Sequence, residues 1–211
     1  MLNCRASEHE QRRVLPGDSL VPEPMGVWTH AITVEAPPSS VWPWIAQLGA
    51  DRGGWYSYDF LDNGGRPSAT EILPEHQEVV VGQVMPAVPG ATDAFLVADV
   101  DPGRSLVLTV PWRGGAPAVS WAFILEPAGG LGTRLVVRAK VSSSWRDLAR
   151  KAAAPDRVLP IHRIYRLLAS LPESLMLSLG RVGHGIMETR MLRGIKRRAE
   201  RAEGVWRAHQ P

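Results

Sequence analysis

The chain has 211 residues, of which 45% are hydrophobic and 21% charged, so one domain can bury a sizeable core without a disulfide or a structural metal. Its single cysteine, Cys4, excludes intrachain disulfides and thiolate zinc clusters, and it favours a reducing cytoplasm. The first twenty residues lack the apolar run of a secretory signal, and no stretch has the roughly 18 apolar residues that span a bilayer. We therefore expect a soluble, cytoplasmic protein.

Charge is divided unevenly along the chain. Residues 1–144 carry 10 basic and 15 acidic side chains, whereas residues 145–211 carry 14 basic and 6 acidic ones. A basic last third can attract an anionic surface, such as membrane headgroups or nucleic acid. No zinc-finger spacing, RNA-binding aromatic motif or phosphate-binding loop accompanies this charge, so nucleic acid is not an expected partner.

The first third of the chain is expected to begin with a poorly ordered lead-in, residues 1–26, which are polar and contain several prolines and glycines. A strand is predicted from Trp28 to Glu35, where apolar and polar residues alternate. A short helix is predicted next, with Ser39 as its cap and Gly49 as its end. Residues 53–65 then form the densest aromatic patch of the chain, between two glycine pairs.

Residues 77–144 have the pattern of strands and turns. Five segments rich in Val, Leu, Phe and Trp are predicted strands: Glu78–Met85, Ala94–Val100, Ser105–Val110, Val119–Leu125 and Thr133–Val141. The short connections between them predict an antiparallel meander. In the last strand apolar residues alternate with basic ones, so we expect one face in the core and the other in solvent.

After residue 144 the pattern becomes helical. Two short basic amphipathic helices are predicted, Trp145–Ala153 and Ile161–Leu171, followed by a long helix from about Glu173 to Arg201. Three glycines between residues 180 and 185 weaken the long helix by about 1 kcal/mol each relative to alanine. A kink near His184 and an unbroken helix are therefore both compatible with the sequence.

Five segments carry a resemblance to a known family. They are Ile32 to Trp44, Gly53 to Asp59, Ser120 to Phe123, Gly132 to Leu135 and Gly183 to Lys196. Together they resemble the START-like, polyketide cyclase/dehydrase and lipid-transport superfamily (SRPBCC), and they are closest to an uncharacterised bacterial branch. The similarity covers about residues 27–144 and 174–202.

The resemblance implies an α+β helix-grip fold, in which a curved antiparallel β-sheet wraps around a long C-terminal α-helix with an internal apolar cavity. It implies one domain over residues 27–211, in which the basic helical segment 145–172 is an addition to the compact family pattern. The cavity would hold a hydrophobic small molecule such as a lipid, a polyketide or an aromatic compound. Members of the superfamily bind, carry, cyclise, dehydrate or hydrolyse, so no reaction is implied.

Aromatic and methionine side chains are the best candidates for a ligand site, because they offer large or adaptable contact area. The candidate ligand-binding residues are Trp55, Tyr56, Tyr58, Asp59, Trp121, Phe123, His184, Met187 and Met191. Asp59 and His184 are also weak catalytic candidates, although a turn cap and a hydrogen-bonded structural histidine are their more ordinary roles. No nucleophile, metal or cofactor motif with a known spacing is present, so no metal and no cofactor are expected.

Two apolar stripes on the last helix compete for contact with the sheet. One contains His184, Met187, Met191 and Ile195, and the other contains Leu175, Leu179, Val182 and Ile186. The stripes point in different directions at 100° per residue, and the sequence does not decide between them.

Three functions are compatible with these features. The first is a carrier or sequestering protein for a hydrophobic small molecule, which the lack of a recognisable catalytic set favours. The second is a polyketide cyclase or dehydratase type of enzyme that uses Asp59, a tyrosine hydroxyl or His184. The third is a membrane-associated lipid-transfer or interaction protein that contacts anionic lipid through residues 145–171.

Overall fold

The computed structural model describes residues 4–89, 94–112, 117–151 and 160–208. Within them, one antiparallel sheet consists of β1 (Gly26–Val34), β2 (Val84–Pro86), β3 (Ala94–Asp101), β4 (Ser105–Val110), β5 (Val119–Ala128) and β6 (Gly132–Val141). The helices are α1 (Glu8–Arg12), α2 (Pro38–Ala46), α3 (Asp59–Asp62), α4 (Trp145–Lys151), α5 (Pro160–Ser170) and α6 (Glu173–Ala208), with short 3₁₀ helices at Asp18–Leu20 and Pro74–His76.

The strand order is β1-β6-β5-β4-β3-β2. Strands β2 to β6 therefore form the predicted meander, and β1 joins its far edge by pairing with β6. The long helix α6 lies across one face of this sheet and contacts β1 and α2. This arrangement confirms the α+β helix-grip fold that the resemblance implies.

Helix α6 continues without a break over 36 residues, which corresponds to about 54 Å. The kink considered near His184 is absent, and two of the glycines that suggested it lie against the sheet. A Cβ atom on Gly180 would lie 3.7 Å from the Trp28 ring, and one on Gly185 would lie 3.5 Å from His30 Nε2. These glycines let the helix approach β1 closely, which offsets their low helix propensity.

The structure decides between the two stripes of α6. Met191 and Ile195 are buried, and His184 and Met187 lie towards the sheet. The rival stripe is 45–60% exposed at all four of its residues, Leu175, Leu179, Val182 and Ile186. The stripe that includes His184 is therefore the one that α6 presents to the sheet.

The two halves of α6 have different surroundings. Leu192 and Ile195, in the C-terminal half, are fully buried in one apolar cluster with Ile45 of α2 and Leu135 of β6. The N-terminal half lies over a cavity instead. No helix within the described residues combines the length and the apolarity that crossing a bilayer requires.

Residues 4–25 pack against the outer face of the sheet, which corrects the expectation of a poorly ordered lead-in. Arg138 of β6 is buried on that face and donates hydrogen bonds to three backbone carbonyl oxygens between residues 10 and 13. It also donates to Asp18 Oδ2 at 2.6 Å. The sequence assigned this basic face to solvent, but its guanidinium groups bind backbone that a hydropathy pattern does not identify as a partner.

A second ion pair joins the same segment to the sheet. Arg134 Nε donates to Glu10 Oε1 at 2.7 Å, and Glu10 also forms a capping box with Ser7 at the start of α1. The hydrogen bond from Arg134 holds the pKa of Glu10 down at about 2. This pair therefore stabilises the fold above pH 4.5 and is lost only as the pH falls through about 2.

Two further expectations differ from the structure. The predicted strand Glu78–Met85 is reduced to the three residues of β2, because the chain turns at Gly82, where φ is +86°. Helix α2 begins at Pro38 and has no side-chain cap, so Ser39 is not its cap. Proline needs no amide partner in a first helical turn, which makes a cap less necessary there.

Replacing Arg138 by leucine should lower the free energy of unfolding by about 3–5 kcal/mol, because Asp18 and three carbonyl groups lose their buried donor. Urea unfolding monitored by circular dichroism measures the change. Arg104→Leu is the matched control, because Arg104 is exposed and pairs only with the exposed Asp101, so it should cost below about 1 kcal/mol. Equal losses in the two variants would contradict this role of Arg138.

Candidate functional site

A cavity of about 830 Å³ lies between the sheet and the N-terminal half of α6. Its volume is in the range of about 300–1,000 Å³ that is usual for small-molecule sites. Most of the residues that line it are apolar or aromatic, and they come from β1, β3 to β6 and α3 to α6. The cavity therefore has the size and the lining of a site for a hydrophobic small molecule.

The floor of the cavity is a row of residues across three strands. Ala139 of β6 pairs in register with Trp28 of β1 on one side and with Trp121 of β5 on the other. Because alanine is small, the space between the two indole rings stays open. Trp121 in turn stacks on Trp55, with ring centroids 5.3 Å apart, and contacts Phe95 at 5.4 Å.

Helices α4 and α5 form one wall. Trp145, Leu148, Tyr165 and Leu168 all line the cavity, and the Trp145 and Tyr165 rings meet edge to face at 6.0 Å. The amphipathic segment after β6 thus places much of its apolar stripe over the cavity. The end predicted for its first helix, Ala153, lies outside the described residues.

The mouth of the cavity has an exposed apolar rim. Four of the lining side chains are between 42% and 64% exposed, namely Phe60, Ile164, Leu179 and Ile186. They belong to α3, α5 and α6, so the opening lies where these three helices meet.

Six of the candidate ligand residues line this cavity. They are Trp55, Tyr58, Trp121, His184, Met187 and Met191. The indole nitrogen of Trp55 donates to the Ala87 carbonyl oxygen at 2.9 Å, so this side chain offers a ligand mainly the face of its ring. Met191 lies where the cavity meets the filled core.

The other three candidates lie outside the cavity lining. Phe123 is fully buried next to Trp121, with ring centroids 4.9 Å apart. Tyr56 packs on Trp44 and under the guanidinium of Arg198 at 4.5 Å, and burial raises the pKa of its hydroxyl.

Asp59 is occupied by a structural role. Its carboxylate accepts hydrogen bonds from the Ser68 backbone amide at 3.1 Å and from the Ser68 hydroxyl at 2.5 Å. The carboxyl group that does line the cavity is that of Asp62, three residues later. Asp62 is 5% exposed, and its Oδ1 atom has no hydrogen-bond partner among the described residues.

Burial, together with the neighbouring Asp59, raises the pKa of Asp62 to about 7. A carboxyl group in the cavity wall can therefore take up or release a proton near neutral pH, as a general acid or base must. The sequence did not single out Asp62, because Asp59 and Asp62 lie in the same short helix and only the fold shows which of the two faces the cavity.

A second set of polar side chains comes from both α6 and β1. The Glu188 side chain is wholly buried, and its Oε2 atom contacts His184 Nε2 on the same helix. Its other oxygen accepts a hydrogen bond from Trp121 Nε1 at 3.4 Å. The His30 ring lies 5.9 Å from the His184 ring, measured between centroids.

The sequence shows that His184 and Glu188 are one helical turn apart, but it does not show that both lie beside His30. One ligand atom from each of these residues, a ring nitrogen or a carboxylate oxygen, lies within 4.8 Å of the other two. Burial lowers the pKa of His30, which favours its neutral imidazole. Among the described residues, this is the group whose side chains could hold a metal ion.

Comparison with known proteins finds no matching family model and no matching curated protein. One similar solved structure is that of the protein MLL2253 from Mesorhizobium loti. Its sequence identity is 12% and its TM-score is 0.43, and the similarity covers 83% of this chain and 98% of that chain. The Zhui aromatase/cyclase from Streptomyces sp. R1128 has 16% identity and a TM-score of 0.43, with 83% and 94% covered. CalU16 from Micromonospora echinospora has 14% identity and a TM-score of 0.36, with 85% and 93% covered.

Asp62→Asn should stabilise the protein in a pH-dependent way. The folded protein keeps a proton on Asp62 up to about pH 7, whereas the unfolded chain releases it near pH 3.8, so wild-type stability falls across that range. Asparagine cannot ionise, so the variant should gain in Tm over the wild type as the pH rises from 4 to 8. Calorimetry measures both, and Asp101→Asn, at an exposed position, is the control. A difference in Tm that does not vary with pH would contradict the raised pKa.

Proposed function

We propose that this protein binds a hydrophobic small molecule in the cavity between the sheet and α6, and that it acts as a carrier or sequestering protein. The observation that carries the proposal is the apolar cavity of about 830 Å³ with a few ionisable groups in its wall. Such a combination is typical of small-molecule sites, where apolar contact provides affinity and a few polar groups fix orientation.

The lining favours a ligand with a planar aromatic part. Trp28, Trp55, Phe95 and Trp121 present rings around the floor, and offset or edge-to-face contacts between rings add to the free energy of apolar burial. Two carboxyl groups would then bind polar groups of the ligand. Asp62 lies near the mouth residue Phe60 in α3, and Glu188 lies beside the floor residue Trp121. Met187 and Met191 offer an adaptable surface along α6.

Native mass spectrometry of the gently purified protein, compared with its denatured mass, should detect a bound hydrophobic molecule. Ala139→Phe should prevent this binding, because the new ring fills the space between Trp28 and Trp121. Titration with the neutral apolar dye Nile red should give at least a tenfold weaker affinity for the variant. A loss of that size corresponds to about 1.4 kcal/mol.

The matched control for this experiment is Ala202→Phe, which adds the same ring at an exposed position of α6. Both variants should keep the far-ultraviolet circular dichroism of the wild type. Equal dye affinity in the wild type and in a folded Ala139→Phe protein would contradict the proposed site.

An enzyme of the polyketide cyclase or dehydratase type is the second candidate, and one observation favours it. Asp62, His184 and Glu188 place proton donors and acceptors in the wall of the same cavity. If the bound molecule is a substrate, Asp62→Asn and Glu188→Gln should each lower kcat by about 10²-fold or more, which is the usual contribution of general acid or base catalysis. Unchanged kcat in both variants would exclude these two side chains from catalysis, and no turnover by the wild type would leave binding as the function.

Membrane contact through residues 145–171 stays a prediction. The apolar rim at the mouth and the exposed Arg163 and Arg166 on α5 support it, whereas the position of Trp145 and Tyr165 over the cavity supports a role in enclosing the ligand. A cytoplasmic location likewise stays a prediction.

A further inference from the structure

Three buried polar atoms lie together between the cavity and a neighbouring groove. His30 Nδ1, His184 Nε2 and Glu188 Oε2 are all buried; the last two contact each other, whereas His30 Nδ1 has no hydrogen-bond partner among the described residues. Buried polar atoms without partners are rare in folded proteins, and each costs about 1–3 kcal/mol. An unpartnered ring nitrogen beside the buried His184–Glu188 contact indicates that a further group binds there.

We infer that His30, His184 and Glu188 form a binding site for one divalent transition-metal ion, such as Zn²⁺. Two imidazoles and one carboxylate are a ligand set that such ions prefer, and three protein ligands leave at least one coordination position for water or an organic ligand. The inference goes beyond the proposed function, because metal binding can be measured without any organic ligand.

The distances allow a metal ion after side-chain adjustment. One potential ligand atom from each residue lies within 4.8 Å of the other two. Two ligand atoms bonded to one tetrahedral zinc ion at about 2.0–2.1 Å lie about 3.3 Å apart. Metal binding therefore needs side-chain rotations on β1 and α6 that bring the most distant atoms closer and move His184 Nε2 and Glu188 Oε2 apart.

Charge also favours a cation at this place. The Glu188 carboxylate is wholly buried, and a buried negative charge is costly unless a positive charge balances it. A divalent ion bound by two neutral imidazoles and one carboxylate keeps a net positive charge, which would attract an anionic oxygen of a ligand.

A neighbouring side chain already orients one of the three proposed metal-binding residues, Glu188. Trp121 Nε1 donates to Glu188 Oε1 and so holds the carboxylate with Oε2 towards His184, and partners of this kind commonly fix the ligands of metal sites. His184 and Glu188 line the cavity, whereas His30 lies on a separate groove beside Arg181, Arg190 and two further arginines. Those arginines repel cations, so the ion should enter from the cavity.

The test is a titration of tag-free protein, treated with a chelator, with Co²⁺ and then with Zn²⁺. The wild type should bind one equivalent of Co²⁺ with visible d–d absorption, and one equivalent of Zn²⁺ should abolish that absorption. His30→Gln, His184→Gln and Glu188→Gln should each weaken Co²⁺ binding by more than about 100-fold, because removal of an outer partner alone costs about 10–100-fold. His9→Gln, at an exposed position, is the matched control and should bind like the wild type.

Glu188→Gln keeps the size of the side chain and an oxygen for Trp121, so it is the variant that best preserves the fold. As a second measurement, Zn²⁺ should raise the Tm of the wild type but not that of Glu188→Gln, because only a folded site stabilises by binding. Absence of one-equivalent binding by the wild type would overturn the inference, and so would wild-type affinity for Co²⁺ in the three variants. Because Nile red binding is measured without metal, loss of metal binding alone would leave the proposed function intact.

Discussion

The contact between α6 and the sheet is the constraint on which the rest of the structure depends. A β-sheet twists, whereas an α-helix of 36 residues is close to a rod, so close contact at one end leads to separation at the other. Here the close contact lies at the C-terminal half of α6, where Leu192 and Ile195 are fully buried. The cavity lies beneath the other half, and the polar cluster of His30, His184 and Glu188 lies at the transition between them.

Much of the fold could be predicted from the sequence because it follows from local patterns. The alternation in β1 and β6, the strand composition between them and the helical period after residue 144 predicted the elements, and the resemblance supplied their arrangement. The N-terminal segment was mispredicted because polar bonds hold it, above all those of Arg138. Periodicity detects apolar faces and does not detect a guanidinium that binds the backbone of another segment.

The candidate site could be predicted only in part. Large rings such as Trp55 and Trp121 were expected at a cavity because of their size and their place in glycine-bounded or strand segments, and both line it. Which polar groups face the cavity depends on contacts between distant parts of the chain. His30 and Glu188 are 158 residues apart, and Asp62 differs from Asp59 only in the burial that the fold gives it.

The wall formed by α4 and α5 has a consequence for the rates of binding and release. The two helices are joined by hydrogen bonds from Arg146 to the Leu171 carbonyl oxygen and from Arg150 to the Ala169 carbonyl oxygen, outside the hydrogen-bonded sheet. Elements held in this way open at a lower free-energy cost than central strands do. Because α5 borders the mouth, a ligand wider than this opening would leave only after the helical pair moves away from α6, so its residence time would reflect the stability of the pair as well as its own contacts with the floor.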